Sequence, residues 1–590
     1  MDKNMQKYSE YNLKQYIEDI KEIGLEKTWN EICEYVLKKE KNEFLDTKNF
    51  GELYEIGLAI EDKIKKKKSG QYYTPDDVAL IMSEWLSKCE GENICDVACG
   101  TGKLILTYLE YIGEKQAKEV LKAGRVYLYD SDKIALKICK TIIIKKYGND
   151  LKNKIHDICG DFLNKNIVLP NNCKTIANPP YANFKEIKKE WNESKVIEDS
   201  HEYYSAFMDK IFKQSESTVI ITPYSFISGN KFYSLRQNMC KYGNGFIVDF
   251  DNVPGNIFCG RKHGIFNTNT SNSVRAAITL LKKSDDKKGF KITPMIRFKN
   301  EERNKLLKCK VLEKVLPNEY QIIDEKNKEF KKIDKRLSQI YKSWINNSQY
   351  TIKDLITKDA NKFLINMPNT CRYNTTASSK KLARKGSITL NFEEEDAFYF
   401  VYCVINSSFA YWWWRIYDGG ITYPKGLLEK MPIPLNLLDS KEKEKFKNIA
   451  IDMINKESQY KKFKLNAGEK QENIKFPEEY KKMVCLKPSS LERVKGTKYF
   501  SYQEGTKGQF LAVNDPDVYV QRQYPRQVIA LMEGITNSAY NWRVESFDSN
   551  MDKTFDDIYR YLTENKEFLS ERILKATEGF IKGYSIRKNQ

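Results

Sequence analysis

Between residue 69 and about residue 285, short apolar runs alternate with helix-length amphipathic stretches. The runs are "NICDVA", "RVYLYD", "KTIAN", "STVIITP" and "GFIVDFD". Each is short and centred on apolar residues, the pattern of a strand buried in a sheet. Strands of this kind separated by helical segments form a mostly parallel sheet with crossover helices, so the expected fold class is α/β.

The flanks read differently. Residues 1–68 form an N-terminal helical region, with Ile17, Ile20, Ile23, Ile32 and Val36 at near-helical spacing and a lysine run at the end. Residues 286–345 are strongly charged and read as a helical connector. From 346 to 590 aromatic and basic residues interleave, and the pattern ends in amphipathic helices. A chain of 590 residues is too long for one core, so two or three domains are expected.

Charge narrows the partners. Lysine and arginine number 99 against 80 acidic residues, a net +19. Such an excess suits a polyanion, most often nucleic acid, although a lysine-rich proteome gives the same total. No apolar run is long enough to span a membrane, and the first residues lack the apolar core of a signal peptide. The 13 cysteines include no C-x-x-C pair, which excludes a zinc ribbon and implies reduced thiols in a cytoplasmic protein. With three histidines, a histidine-rich metal site is not expected, and no metal is assigned.

Chemistry concentrates at the strand ends. "ICDVACGTGKLIL" reads as a strand ending near Asp96, a turn carrying Gly100 and Gly102, and a helix. It lacks the third spaced glycine of the dinucleotide fingerprint and the G-K-[ST] of a phosphate loop. A tight turn beside an acidic strand end suits a nucleoside whose other end is cationic, and S-adenosyl-L-methionine is such a ligand. Asp130, ending "RVYLYD", suits a ribose acceptor or a helix N-cap, a role Asp132 could fill equally. In "CGDFLN", Asp161 can accept a bond from an adenine amino group and Phe162 can pack on its ring.

"TIANPPYANF" carries the reactive group. Two prolines fix the chain direction where a strand ends. Asn178 and the Pro179 carbonyl then offer two acceptors that can hold both hydrogens of an exocyclic amine. Pro180 completes the rigid turn, and Tyr181 offers a face on which a base can stack, an interaction of about 1–3 kcal/mol. In-line methyl transfer tolerates little misplacement, which accounts for the rigidity.

These residues, in this order, resemble the gamma class of DNA adenine-N6 methyltransferases of restriction–modification systems. The resemblance covers roughly residues 50–285. It implies a Rossmann-like methyltransferase domain over 69–285, with a C-terminal α+β target-recognition domain over 346–590. "SGQYYTP" matches the family's segment over the methionine end of the cofactor, which assigns Tyr73, Thr74 and Pro75. "DVACGTG" matches the cofactor loop, which adds Ala98 to Asp96, Gly100 and Gly102. Asp130 matches the ribose acceptor, Asp161 with Phe162 the adenine contacts, and "NPPY" the catalytic motif. Family members place an aromatic after the catalytic motif against the flipped base. Phe258 fills that role here and Phe266 is its rival, because a polar insert, "RKHGIFNTNTSNS", departs from the pattern.

The resemblance implies double-stranded DNA as substrate and leaves open a cognate restriction endonuclease as partner. In the C-terminal half, Arg372, Lys380, Lys381, Arg384 and Lys385 form a basic loop suited to phosphates or a groove. The tryptophan run 412–414 reads as core. Competing readings are a methyltransferase–nuclease fusion, a modification subunit of a larger complex, and a methyltransferase acting on RNA or protein glutamine.

Overall fold

A computed structural model of the chain describes residues 8, 11–38, 45–61, 74–252, 255–258, 274–298, 303–334, 338–358, 362–370, 375–418, 420, 422–466 and 469–477. The expected sites Tyr73 and Arg372, the alternative Phe266 and the C-terminal amphipathic helices lie outside them. The chain divides into two compact units, one of residues 1–293 and 307–330, the other of residues 294–306 and 331–590. The stretch 286–345 therefore contributes to both units.

The first unit is built on an eight-stranded sheet. Its strands are β1 Asn93–Val97, β2 Val126–Asp130, β3 Ile155–Cys159, β4 Cys173–Ala177, β5 Ser217–Pro223, β6 Gly243–Phe250, β7 Ala276–Lys283 and β8 Phe290–Ile292. They lie in the order β3-β2-β1-β4-β5-β7-β6-β8. Only the two pairings of β7, with β5 and β6, are antiparallel. The mostly parallel α/β sheet expected from the apolar runs is present, and each quoted run is one of its strands. β1 and β4 are buried almost throughout, as central strands covered on both faces must be.

Helices cover this sheet. Asp76–Ser87 (α4 below) buries Val78, Ile81, Met82, Trp85 and Leu86. Three N-terminal helices, α1 Leu13–Ile23, α2 Leu25–Lys38 and α3 Phe50–Glu61, share a core around Tyr16, Trp29 and Phe50. That core includes Ala135, Ile138 and Ile142, so the N-terminal helices pack on the helix Lys133–Tyr147, the crossover from β2 to β3. They are part of the first unit.

In the second unit, the hairpin-like pair Phe363–Pro368 and Ser387–Phe392 packs with the helices Glu395–Asn406, Ser408–Tyr417 and Ser440–Asn455. Trp412, Trp413 and Trp414 are all buried in its core, as their run suggested. The basic loop leaves this core. Lys380, Lys381 and Lys385 are exposed, but Arg384 is half-buried and donates to Asn473 Oδ1. Arg384 is thus engaged by a side chain of the strand Glu469–Ile474 and is less exposed than the lysines, a departure from its expected place beside them.

Candidate active site

The strand order reverses between β1 and β4, with β2 and β3 on one side and β5 on the other. Loops leaving the carboxyl ends of two such strands diverge, and the crevice between them is where open α/β sheets bind ligands. Register decides which residues line it. Val97 pairs with Ala177, so the loop 98–102 and the turn 178–181 leave the sheet side by side. These are the two stretches that the sequence singled out for chemistry.

The loop is tightly coiled. Ala98, Gly100 and Gly102 have φ of 61, 53 and 94°. A Cβ on Gly102 would collide with Cys139 Sγ, whereas one on Gly100 would meet nothing within 4 Å. Gly102 is needed for packing, and Gly100 leaves bare backbone open to close approach by a ligand. Asp130, ending β2, braces this loop. Its Oδ2 accepts from Gly100 N–H at 2.7 Å and its Oδ1 from Asp132 N–H at 2.9 Å. The helix Lys133–Tyr147 is capped by Asp132, whose Oδ1 accepts from Ile134 and Ala135 N–H. The structure so resolves the two aspartates: Asp132 is the cap and Asp130 belongs to the loop.

Asp96 is 0% exposed. Its Oδ2 accepts from Ile105 N–H at 3.0 Å, while Oδ1 has no partner among the described residues. Burial pushes its carboxyl up to about 8; the Ile105 bond opposes this and the nearby Asp130 adds to it. Burial also raises Asp130, against the bonds from Asp132 and Gly100. A carboxylate can accept about four hydrogen bonds, so Asp130 keeps capacity for hydroxyls. Bare Gly100 backbone beside the part-buried Asp130 carboxyl fits the hydroxyls of a nucleoside.

Asp161 lies after β3, held to the same rim because Gly160 N–H donates to the Asp130 carbonyl at 2.9 Å. Its carboxylate accepts from Leu163 N–H, Lys188 Nζ and Trp191 Nε1. Phe162 is placed otherwise than expected. It is 4% exposed, with Tyr129 and Phe207 against its ring and Lys210 Nζ 4.7 Å from its centroid. That ring is core, and packing on an adenine would require it to leave these neighbours.

The turn 178–181 is held by a chain of hydrogen bonds. Asn178 Nδ2 donates to Thr74 Oγ1 at 3.0 Å, and Tyr181 OH donates to Asn178 Oδ1 at 2.8 Å and to the Ile221 carbonyl at 3.2 Å. Thr74 is buried just before α4, and Pro75 is the N-cap of that helix. Asp76 and Lys103 then form an ion pair between α4 and the helix that follows the cofactor loop. Pro179 is buried and Pro180 half-buried. The Tyr181 ring lies edge-on to Tyr204 at 6.4 Å and to Phe258 at 5.9 Å. Phe258 is thus brought to the turn, although it is 3% exposed.

The sequence reading missed Tyr204, and it missed the contact of Thr74 with Asn178, which spans 104 positions. Nothing local in the sequence marks either. It also missed Lys188 and Trp191, although a lone tryptophan in the charged stretch "KEIKKEWNES" was a visible signal. Among the described residues, no group of three or more His, Cys, Asp or Glu is placed to hold a metal ion. No helix among them is long and apolar enough to cross a membrane.

Comparison with known proteins identifies a family. The family profile described as N-6 DNA Methylase matches residues 45–363, more than half of the chain. The MjaIX type I restriction enzyme methylase subunit of Methanocaldococcus jannaschii is 25% identical over 158 residues, covering 25% of each chain. The MpnII type I restriction enzyme methylase subunit of Mycoplasma pneumoniae is 20% identical over 310 residues, covering 45% of this chain and 50% of the relative. The chain spans a quarter and a half of the length of these two curated relatives. Among solved structures, a DrdV–DNA complex is similar with a TM-score of 0.43 and 13% identity, covering 71% of this chain and 60% of that one.

Proposed function

This chain belongs to the N-6 DNA Methylase family, and from that premise we propose that it methylates N6 of an adenine flipped out of double-stranded DNA, with S-adenosyl-L-methionine as donor. One observation carries the reading most: the register of Val97 with Ala177 sets the Asn178 side chain beside the glycine loop at the reversal of the sheet.

The residues present fit the cofactor. Gly100 backbone and the carboxyl groups of Asp96 and Asp130 would receive its nucleoside, with Asp130 accepting from the ribose hydroxyls. Thr74 and Pro75 lie at the start of α4 on the methionine side in the family's arrangement, where Tyr73 also belongs. When bound, S-adenosyl-L-methionine supplies an electrophilic sulfonium methyl group.

An adenine inside a duplex has its amine paired and its faces covered, so the base must leave the stack. Asn178 Oδ1 and the Pro179 carbonyl accept the two N6 hydrogens and align the nitrogen lone pair with the methyl group. Thr74 and Tyr181 fix the Asn178 amide from both ends. Tyr181, with Phe258 beside it, provides the aromatic wall for the flipped base. The amine reacts before it loses a proton, so no strong base is needed, and the proton passes to solvent afterwards.

Target selection is assigned to the C-terminal half, with Lys380, Lys381 and Lys385 as phosphate contacts. The free cysteines among the described residues suit a cytoplasmic setting. The names of both curated relatives favour a second reading, a modification subunit working with partner subunits. Transfer of labelled methyl groups to duplex DNA, RNA and protein tests the activity, with nucleoside analysis of the product. N6-methyladenine formed by the isolated chain supports the first reading. Activity that appears only with added partner subunits supports the second, and label in RNA or protein alone refutes both.

A further inference from the structure

The chain leaving the Asn-Pro-Pro-Tyr turn does not run directly to the next long helix. Residues 182–202 form an excursion closed at its base by backbone bonds, from Tyr203 N–H to the Ala182 carbonyl and from Phe184 N–H to the His201 carbonyl. Its far end lies on the residues that follow β3. Lys165 N–H donates to the Glu190 carbonyl at 2.9 Å, and Asn164 pairs with Trp191 as an antiparallel bridge. Trp191 is 4% exposed, its ring against Phe184 and Tyr203. Backbone bonds and apolar packing already make this join.

Two further side-chain donors converge on a single oxygen. Lys188 Nζ donates to Asp161 Oδ2 at 2.8 Å, and Trp191 Nε1 donates to the same atom at 2.9 Å. Leu163 N–H donates to Oδ1 at 3.1 Å. The carboxylate is thus held at both oxygens on the rim that carries Asp130. Resting on the cofactor reading above, we propose that Lys188 and Trp191 are positioning residues: they aim the Asp161 carboxylate at the 6-amino group of the cofactor's adenine and so select a 6-amino over a 6-oxo purine.

The chemistry supports this direction. Burial opposes ionisation of Asp161, but the bonds from Lys188, Trp191 and Leu163 outweigh it and hold the carboxyl below its usual range. Near neutral pH the group is therefore an acceptor with no hydrogen of its own. A 6-amino group donates to it, whereas a 6-oxo group presents a second acceptor and is repelled. Freed of its two side-chain donors, Asp161 can turn away or take up a proton, and the distinction weakens. The excursion also starts at Tyr181, so the same segment joins the catalytic turn to the adenine end of the cofactor.

Calorimetry with S-adenosylhomocysteine and its 6-oxo counterpart, S-inosylhomocysteine, tests the proposal on wild type, Lys188→Met and Trp191→Phe. Lys188 is half-exposed, and phenylalanine keeps the packing of Trp191 while losing its donor. Wild type is expected to prefer the 6-amino nucleoside by about tenfold or more, the scale set by a buried polar group left unpaired. Each variant should cut that preference by about fivefold while keeping a cooperative thermal transition. Equal weakening of both nucleosides, or an unchanged ratio, overturns the proposal and leaves the two residues structural. If wild type binds both nucleosides equally, the proposal fails while the cofactor reading stands. If it binds neither, the cofactor reading fails and takes the proposal with it.

Discussion

Tyr181→Phe separates the two tasks given to that residue. The substitution keeps the ring and its edge-on contact with Phe258 but removes the hydroxyl, and with it the bonds to Asn178 Oδ1 and the Ile221 carbonyl. A neutral hydrogen bond contributes about 0.5–1.5 kcal/mol net. The bond to Asn178 bears on the amide that would orient the reacting amine, and the one to Ile221 anchors the ring. If the first sets the direction of the amide in the transition state, its loss should raise the barrier by about 1 kcal/mol, a rate about fivefold lower. Base capture depends on the ring, so fluorescence of 2-aminopurine at the target position should rise as in wild type. Thr74→Val removes the acceptor at the other end of the same amide and should slow the reaction by a similar factor. Because both bonds hold one side chain, the double variant should depart from the product of the single effects. The assay is single-turnover transfer of labelled methyl groups at saturating cofactor and DNA. Wild-type rates in both single variants would refute the view that this chain of bonds orients Asn178.

Three other outcomes follow from the site. Asp96→Asn should remove a pH dependence of stability: the native carboxyl, raised to about 8, binds a proton that the unfolded chain releases near pH 4, so wild-type stability falls as pH rises between these values. The unfolding free energy of the variant relative to wild type, measured without cofactor, should therefore rise from pH 5 to pH 8, by up to about 1.4 kcal/mol per pH unit, and a flat difference contradicts the assignment. Gly102→Ala should destabilise the unit more than Gly100→Ala, because both strain a left-handed residue but only the first collides with Cys139; equal losses in denaturant titrations speak against the packing role of Gly102. Neutralising Lys380, Lys381 and Lys385 together should lower the slope of log binding constant against log salt by up to about one for each phosphate left unneutralised, and an unchanged slope moves the DNA surface elsewhere.

What the sequence disclosed and what it concealed divide along a physical line. Strands buried on both faces announce themselves by local composition, and every quoted run between Asn93 and Phe250 is a strand of the sheet. Left-handed turns need glycine, so Gly100 and Gly102 were visible too. A rigid di-proline turn after an apolar run marks Asn178 and Tyr181 for the same local reason. None of this reports which side chains meet across the sheet. Phe162 follows an acidic residue at a strand end, the place of an adenine contact, yet its ring is drawn inward by Tyr129 on β2, Phe207 and Lys210. Arg384 sits among exposed lysines in sequence, yet it turns to Asn473, 89 positions away.

The same limit explains why the partners of Asn178 were hidden while Asn178 itself was not. Under the proposed mechanism its identity follows from the chemistry of one amine, which a short motif can encode. Its orientation depends on Thr74, delivered by the start of α4, and on the Ile221 carbonyl of β5, which anchors Tyr181. Those residues converge because β4 lies between β1 and β5, and strand order is a property of the whole sheet rather than of any window of sequence. An active site assembled in this way has chemical residues legible in motifs and supporting residues legible only in the fold. Substitutions such as Tyr181→Phe and Thr74→Val are therefore the sharper probes: they alter what holds the amide and leave the reacting group in place.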